Sequence, residues 1–177
     1  MQEYITIAEA LSVRAAITRR LHHLMQERMQ NSKVIIEKGE QAEYPSRTVD
    51  MITEEIERTA ADYRTLDVLI AKANISHTIR WNDLDLTVLE AIELAKQTRS
   101  ELSMLASLGA AKKMERHVSR GGSGDGAKPL FTVALYDPEA YSRAAQKKER
   151  EAVKLSSLIE QSNHTHKLPF DASAYMG

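Results

Sequence analysis

The chain has 177 residues, with 24 Lys and Arg against 25 Asp and Glu, no cysteine, and only 5% aromatic residues. The balanced charge argues against a general nucleic-acid-binding protein, which would carry a basic excess, and the missing cysteines exclude disulfides and thiol chemistry. There is neither an apolar run of the roughly 20 residues that cross a bilayer nor a signal-peptide pattern. We therefore expect a cytoplasmic protein that contacts no membrane and forms one domain over residues 1–177.

The first half of the chain predicts two long helices. Thr6–Glu9 has the sequence of a capping box, and the helix after it is predicted to end near Asn31. A short strand is indicated from Val34, at the start of VIIEKGEQAEYP. The second helix is predicted to end at Asn74 and carries a heptad seam that calls for a neighbouring helix. The seam consists of Val49, Ile52, Ile56, Thr59, Tyr63, Leu66, Ile70 and Ala73.

The second half predicts two further helices. Thr87–Glu90 is another capping-box sequence, and its helix is predicted to reach about Arg116. Residues 118–129 are predicted to form a flexible Gly-rich loop, and LFTVALY a strand. Asp137-Pro138 is typical of a helix start, with Asp as the cap and Pro at the first position. The fourth helix is predicted to end at Asn163.

These elements predict a mainly α protein with four long helices in an antiparallel hairpin or bundle arrangement and one or two short β-strands. Residues 167–177 are expected to form an extended tail across another element. Apolar seams are costly in water, so we also expect a homo-oligomer. Arg14, Arg28 and Arg99 fall on the seams. They are expected to reach solvent or pair with Glu, or else to line a cavity that holds an anion.

Two predicted helix ends have similar sequences. LIAKANISHTIRW and LIEQSNHTHKLPF align with a constant offset of 89 positions, which pairs Asn74 with Asn163, Ser76 with Thr165 and His77 with His166. One interpretation is structural, because Asn tolerates the conformation that ends a helix and a hydroxyl satisfies a free carbonyl. The other is functional: the endings meet, within a subunit or between subunits, and present amides, hydroxyls and imidazoles together.

Several short motifs resemble those of one protein family. The first helix, LSVRAAITRRLHHLMQERMQNSKV, spaces Leu and Arg and ends in Asn, and a Gly39-Glu40 turn follows. Asn74–Ser76 and Asn163–Thr165 are Asn-x-Ser/Thr elements at helix ends, and FTVALYDPEA runs from a strand into a helix. In these features residues 7–165 resemble the septicolysin-like family of small helical bacterial and phage proteins.

The resemblance implies a helical oligomer and says little about chemistry. Two features depart from the family pattern. His77 stands where the family tends to have another Asn, and the loop GGSGDGAKP is longer and richer in Gly than usual. The role of both segments therefore has to come from their own residues.

The chain lacks the familiar residue sets of catalysis. It has no Cys and no Ser in a nucleophile elbow, and GGSGDG precedes a strand, which is the wrong context for a phosphate-binding loop. His77, His164 and His166 offer imidazoles, but no carboxylate stands at a metal-site spacing from them. We therefore predict a protein that is not an enzyme and uses neither a metal nor a cofactor.

Basic and aromatic residues follow the endings and flank the loop. Arg pairs with phosphate in a bidentate manner and stacks on flat rings. Trp81 either stacks on a base or covers the end of the bundle. The predicted ligand-binding residues are the polar, basic and aromatic groups at these places: Arg28, Asn74, Ser76, His77, Arg80, Trp81, Arg116, Arg120, Asn163, Thr165 and His166.

Three functions remain open on these observations. The leading hypothesis is a non-enzymatic, oligomeric protein that sequesters a small anionic nucleotide-type ligand. Its specific form is a phage-encoded sponge for a signal of bacterial immunity, acting in the host cytoplasm; this rests on analogy of size and composition. The first alternative is a structural coiled-coil protein for oligomerisation or as an adaptor. The second is a phosphodiesterase that uses His77, His164 and His166.

Overall fold

The computed structural model describes residues 3–117 and 129–176. In chain order, the elements are β1 (Tyr4–Thr6), α1 (Ile7–Gln30), α2 (Val49–Ser76), β2 (Thr78–Trp81), β3 (Leu84–Thr87), α3 (Val88–Gly109), β4 (Met114–Arg116), β5 (Phe131–Val133), α4 (Pro138–Thr165) and β6 (Lys167–Pro169). The predicted class, mainly α with four long helices, is confirmed. The described residues contain six short strands in three antiparallel pairs, more than the one or two predicted.

The chain divides into two compact units. One contains the described residues up to Leu89 and from Glu160 onward, and the other is Glu90–Ile159. The single domain and the homo-oligomer stay predictions. The predicted flexible loop, residues 118–129, lies outside the described residues except for Pro129.

In the first unit, α1 and α2 form an antiparallel hairpin along the predicted seam. Each of the eight seam residues of α2 is buried or half-buried, because a heptad repeat keeps one stripe of a helix against its neighbour. Seam arginine Arg14 pairs with Asp67 at 2.8 Å, an aspartate instead of the predicted glutamate. The buried residues of α1 against this stripe are Ile7, Ala10, Val13, Ile17 and Leu24.

The ends of α1 and α2 follow from local hydrogen bonds. The capping box at Thr6 is confirmed: its Oγ1 accepts from the Glu9 amide at 3.1 Å, and the Glu9 carboxylate accepts from the Thr6 amide at 2.7 Å. The predicted end of α2 at Asn74 was wrong by two residues. Ser76 is the last helical residue, because the His77 amide still donates to the Ala73 carbonyl at 3.0 Å.

The strand predicted from Val34 is absent from the structure. Residues 34–36 are exposed and extend no ladder. Strands are stabilised by their partners, and no segment within the described ranges pairs with this one. The turn that follows contains Gly39 with φ of 101°, a conformation that favours glycine.

In the second unit, α3 ends earlier than predicted. It stops at Gly109, and the predicted helical residues Met114–Arg116 form β4, paired with β5. The strand pairing overrides the helical pattern there, and the amide of His117 extends the ladder to the Leu130 carbonyl at 2.8 Å. The strand predicted for LFTVALY is present over Phe131–Val133.

Helix α4 begins as predicted. Asp137 caps it by accepting from the Glu139 amide at 3.1 Å, and Pro138 is its first residue. It ends at Thr165, two residues beyond the predicted end at Asn163, because the His166 amide donates to the Ser162 carbonyl at 3.0 Å.

Helices α3 and α4 are joined by polar contacts. Arg99 is exposed, as predicted for one alternative, and donates to the Ser156 hydroxyl at 2.8 Å. Lys148 pairs with Glu101 at 3.0 Å. Near the end of α3, Gly109 approaches the backbone of Ser142 so closely that an added Cβ would lie 2.7 Å from it.

The C-terminal segment starts as a strand and then turns. β6 pairs with β1, with Ile5 opposite Leu168, so the tail lies across another element as expected. The chain then turns over residues 173–175 instead of staying extended. The Tyr175 hydroxyl donates to the Asp62 carboxylate at 2.5 Å. Burial, together with this hydrogen bond, raises the pKa of Tyr175 to about 12.

Candidate functional site

The two similar helix endings meet within one chain. The imidazole rings of His77 and His166 stack with centroids 3.6 Å apart and an angle of 18° between their planes. Sequence analysis left open whether the endings meet within a subunit or between subunits. The structure places the contact inside the first unit, at the place we call the junction: the stacked histidines with the strand pairs β1–β6 and β2–β3.

Each histidine also links two helices through its backbone. The amide of His77 donates to the last turn of α2, and its carbonyl accepts from the Val88 amide at the start of α3, at 2.9 Å. The carbonyl of His166 accepts from the Ile7 amide at the start of α1, at 3.0 Å. Both histidines therefore hold the same position: each lies between the end of a helix and the start of a strand, and each contacts the start of another helix.

The equivalence extends far beyond the endings. Helices α2 and α4 each have 28 residues, and their caps Thr48 and Asp137 are also 89 positions apart. The strand pairs share one register: Ile5 faces Leu168 as Leu86 faces Ile79. The chain thus contains an internal repeat of a strand–helix–helix–strand unit. The first copy is β1–α1–α2–β2, and the second is β3–α3–α4–β6. Sequence analysis detected only the end of this repeat.

The hydroxyls of the two endings turn back onto their own helices. Ser76 donates to the Lys72 carbonyl at 2.9 Å, and Thr165 donates to the Gln161 carbonyl at 2.8 Å. These bonds are the helix-ending contacts of the structural interpretation. Neither hydroxyl needs a further acceptor, although each oxygen retains the capacity to accept.

One polar atom at the junction has no protein partner. The side-chain oxygen of Asn74 is buried and accepts no hydrogen bond within the described part of the chain. A buried acceptor left unpaired costs about 1–3 kcal/mol. Its counterpart Asn163 is half-buried.

The surroundings of the stack favour the neutral form of His77. Burial lowers the pKa of His77 below its usual value, and the adjacent His166 ring lowers it further. Nδ1 of His166 lies 3.0 Å from the Ser162 carbonyl oxygen. Because a carbonyl only accepts, Nδ1 is the donor in this contact.

Arg80 and Trp81 follow the first ending on β2. Arg80 pairs across the strands with Asp85 at 3.1 Å, and both side chains are more than half exposed, at 57% and 67%. Exposed pairs of this kind contribute only about 0–1 kcal/mol, so the Arg80 guanidinium can leave Asp85 and bind another anion at little cost. Trp81 is half-buried and already has a non-covalent partner in the structure.

The other predicted ligand-binding residues lie elsewhere. Arg28 is 21 positions after Ile7 on α1, which at 1.5 Å per residue places it about 31 Å from the junction along the helix. It is half-buried, and neither an ion pair nor a hydrogen bond of its side chain occurs among the described residues. Arg116 is exposed on β4 of the second unit, and Arg120 lies outside the described residues.

Sequence reasoning missed a groove beside the junction. Its volume is about 630 Å³, and it runs along the outer face of α1 between the last turn of α4 and the C-terminal residues. Arg19 brings a positive charge to it, His164 an imidazole and Tyr175 an aromatic ring. The available signal was the spacing of small residues on α1, Ala8, Ser12 and Ala16, four positions apart.

The acidic group in this groove is already engaged. Hydrogen bonds from the Thr6 amide and hydroxyl lower the pKa of Glu9, and the positive charges of Lys167 and His164 lower it slightly more. The Glu9 carboxylate is thus occupied by the capping box. The groove combines this one fixed negative charge with the cationic groups around it.

The described residues were compared with the requirements of a metal site and of a membrane-spanning helix. In residues 3–117 and 129–176, no cluster of three or more His, Cys, Asp or Glu side chains is arranged to hold a metal ion. Over the same residues, no helix has both the length and the apolar character needed to cross a bilayer.

Comparisons with known proteins support the fold. No family model matches the sequence, and no curated protein matches it. One similar solved structure is that of a conserved protein of unknown function from Corynebacterium diphtheriae, with a TM-score of 0.68 and 19% identity. The match covers 94% of this chain and 99% of that protein. At this identity the likeness shows a shared fold and nothing about function.

Proposed function

We propose that this protein is a non-enzymatic, oligomeric binding protein that sequesters a small anionic ligand of the nucleotide type at the junction. One observation carries the proposal: two Asn–hydroxyl–His endings converge inside one chain, next to an exposed Arg and a groove. Polar groups gathered this way beside a concave surface are typical of small-molecule sites.

The available groups divide naturally between the parts of a nucleotide. Arg80 exchanges its exposed partner Asp85 for a phosphate, which its planar guanidinium binds in a bidentate manner. The unpaired oxygen of Asn74, which is buried, accepts from an amino group of the base when the ligand displaces the groups that cover it. The neighbouring groove has a volume within the roughly 300–1,000 Å³ of typical ligand pockets.

Binding without turnover is favoured because Nδ1 of His166 is already engaged by the Ser162 carbonyl at 3.0 Å. General acid–base catalysis needs a group free to reach the substrate. A protein of this kind would lower the free concentration of its ligand. A phage-encoded sponge for a nucleotide signal of bacterial immunity is one such role, and the septicolysin-like resemblance, which implies a helical oligomer, is compatible with it.

Native mass spectrometry with a nucleotide panel tests the proposal, since it reports subunit number and bound mass together. We expect an oligomer with a nucleotide-sized adduct that is released unchanged on denaturation. Asn74→Ala, Arg80→Ala and Trp81→Ala should remove the adduct and keep the oligomer. Arg64→Ala, an exposed arginine on α2, is the matched control and should bind as the wild type does.

A second candidate function is a structural scaffold or adaptor. The observation that favours it is that the endings make contacts only expected of helix termini. Both hydroxyls donate to carbonyls of their own helices, and the two histidine rings stack on each other. An oligomer that ignores the whole nucleotide panel would select this function. A ligand released in altered form would instead select a His-dependent phosphodiesterase.

A further inference from the structure

The connection between α1 and α2 contains an apolar segment whose three side chains are about half exposed or more. Val34, Ile35 and Ile36 are 56%, 100% and 46% exposed. β-branched residues in succession favour a strand, yet these three are in no regular element. Exposing them costs free energy that a partner would recover.

The backbone of this segment is also unpaired. Throughout the described ranges, no hydrogen bond involves the amide or carbonyl groups of residues 34–36. The next residue differs: the Glu37 amide donates to the Glu40 carboxylate at 2.9 Å, and the Glu37 carbonyl accepts from the Glu40 amide at 3.1 Å. This turn, completed by Gly39, fixes where a strand would end. Open backbone groups beside apolar side chains are a template for strand pairing.

The internal repeat supplies a comparison. In the second copy, the connection between the helices contains two strands, β4 and β5, which pair with each other. The first copy's connection has only one segment of strand character, Val34–Ile36. A partner for it has to come from elsewhere.

The segment is complementary to itself. Lys33 precedes the three apolar residues and Glu37 follows them. If two copies align antiparallel with Ile35 opposite Ile35, each Lys33 faces Glu37 of the second copy. Opposite charges on directly facing positions stabilise a strand pair, and like charges destabilise it. A two-fold axis through Ile35 makes both contacts identical, as a symmetric dimer requires.

We infer that two copies of this chain pair through residues Lys33–Glu37, as antiparallel strands centred on Ile35. With Ile35 at a non-hydrogen-bonded position, Val34 and Ile36 form the hydrogen-bonded pairs and exchange four backbone hydrogen bonds. The Glu37 amide then keeps its bond to Glu40. Tyr44, which is 87% exposed in the same connection, adds apolar area. The inference does not depend on any ligand.

Cysteine cross-linking tests the register directly, because the chain has no cysteine of its own. Facing Cα atoms at a non-hydrogen-bonded position lie about 4.5 Å apart, inside the roughly 4.4–6.8 Å of a disulfide. Ile35→Cys should therefore form a covalent dimer on mild oxidation. Val34→Cys is the matched control: its symmetry mate is a diagonal neighbour, about 7–8 Å away, and it should remain uncross-linked. Equal cross-linking of both variants, or none of either, overturns the inference.

Charge reversal tests the contact independently of cysteine chemistry. Lys33→Glu should weaken the dimer, measured by sedimentation equilibrium at low ionic strength, by about threefold to tenfold, because two attractive pairs become repulsive. Adding Glu37→Lys should restore the wild-type dissociation constant. Leu135→Lys, at a residue that is 97% exposed in the second unit, should change nothing. No recovery in the double variant, or dissociation by Leu135→Lys alone, overturns the proposed surface.

Discussion

His77 and His166 each combine a backbone role with a side-chain role. Their amides and carbonyls join helix ends to helix starts, and their rings stack on each other. Two imidazoles at 3.6 Å cannot both hold a proton cheaply, because like charges at contact distance repel. His77, whose pKa is lowered by burial and by the neighbouring ring, is therefore a residue through which pH acts on the junction.

Protonation should destabilise the junction. Because the pKa of folded His77 lies below 6.5, the unfolded chain binds that proton more tightly. The stability from neutral His77 is complete above about pH 6.5 and is lost as the pH falls through the folded-state pKa. Urea unfolding at several pH values should show this loss in the wild type and a smaller one in His77→Phe. His23→Phe, an exposed control, should keep the wild-type slope; a steep slope retained in His77→Phe would contradict the assignment.

Thr6 matters for a different reason, since it completes the capping box that starts α1. Replacing Thr6 with Ala should lower the free energy of unfolding by about 1 kcal/mol, as the loss of an N-cap does. Denaturant titration measures the change. Thr18→Ala on the same helix is the comparison, because the Thr18 hydroxyl bonds only to the Arg14 carbonyl of its own helix. A smaller loss for Thr6→Ala than for Thr18→Ala would show that the cap is not needed.

At the scale of elements, α2 was the most predictable part and the end of α3 the least. A heptad seam with one buried stripe is a property of the segment itself, so the burial of α2 followed from its sequence. Residues Met114–Arg116 form a strand only because Phe131–Val133 lies opposite. A partner 15 or more positions away leaves no trace in the local helical pattern.

The close approach at Gly109 gives a prediction at this scale. An Ala there gains about 1 kcal/mol of helix propensity, but its Cβ would lie 2.7 Å from backbone atoms of Ser142. Because a backbone contact cannot move aside easily, Gly109→Ala should lower the free energy of unfolding, by about 1–3 kcal/mol as overpacking does. Ser107→Ala, exposed on the same helix, should be nearly neutral. A stabilised Gly109→Ala variant would show that the Ser142 backbone can shift to accommodate the added methyl group.

For the whole molecule, the internal repeat is the main organising feature. Its copies are joined at two equivalent strand pairs: β2 and β3 are connected by a short turn at Asn82, whose φ is 51°, whereas β1 and β6 stand near the two ends of the chain. The segments on either side of the β1–β6 pair therefore correspond to the turn between β2 and β3.

A circular permutant tests this equivalence. Opening the chain between Asn82 and Asp83, and joining the C-terminal residues to Glu3 through a flexible linker of about eight residues, should give a folded protein. Its circular dichroism spectrum and cooperative melting should resemble those of the wild type. A permutant opened inside α1, between Arg19 and Arg20, should fail to fold. Loss of folding on opening at Asn82 would show that the two strand pairs are not interchangeable.

The sequence by itself determined the helices, the capping box at Thr6, the α2 seam and the likeness of the two endings. These features depend on interactions between residues a few positions apart or on similarity between two segments of the sequence. Only the tertiary structure decided that the endings meet in one chain, that the two hydroxyls bond to their own helices, that Arg28 lies far from the junction, and that Val34–Ile36 pairs with no other described segment. The physical reason is the same in each case: hydrogen bonds, ring stacking and burial at these places join residues that are distant in sequence, and their energies exist only once the chain has folded.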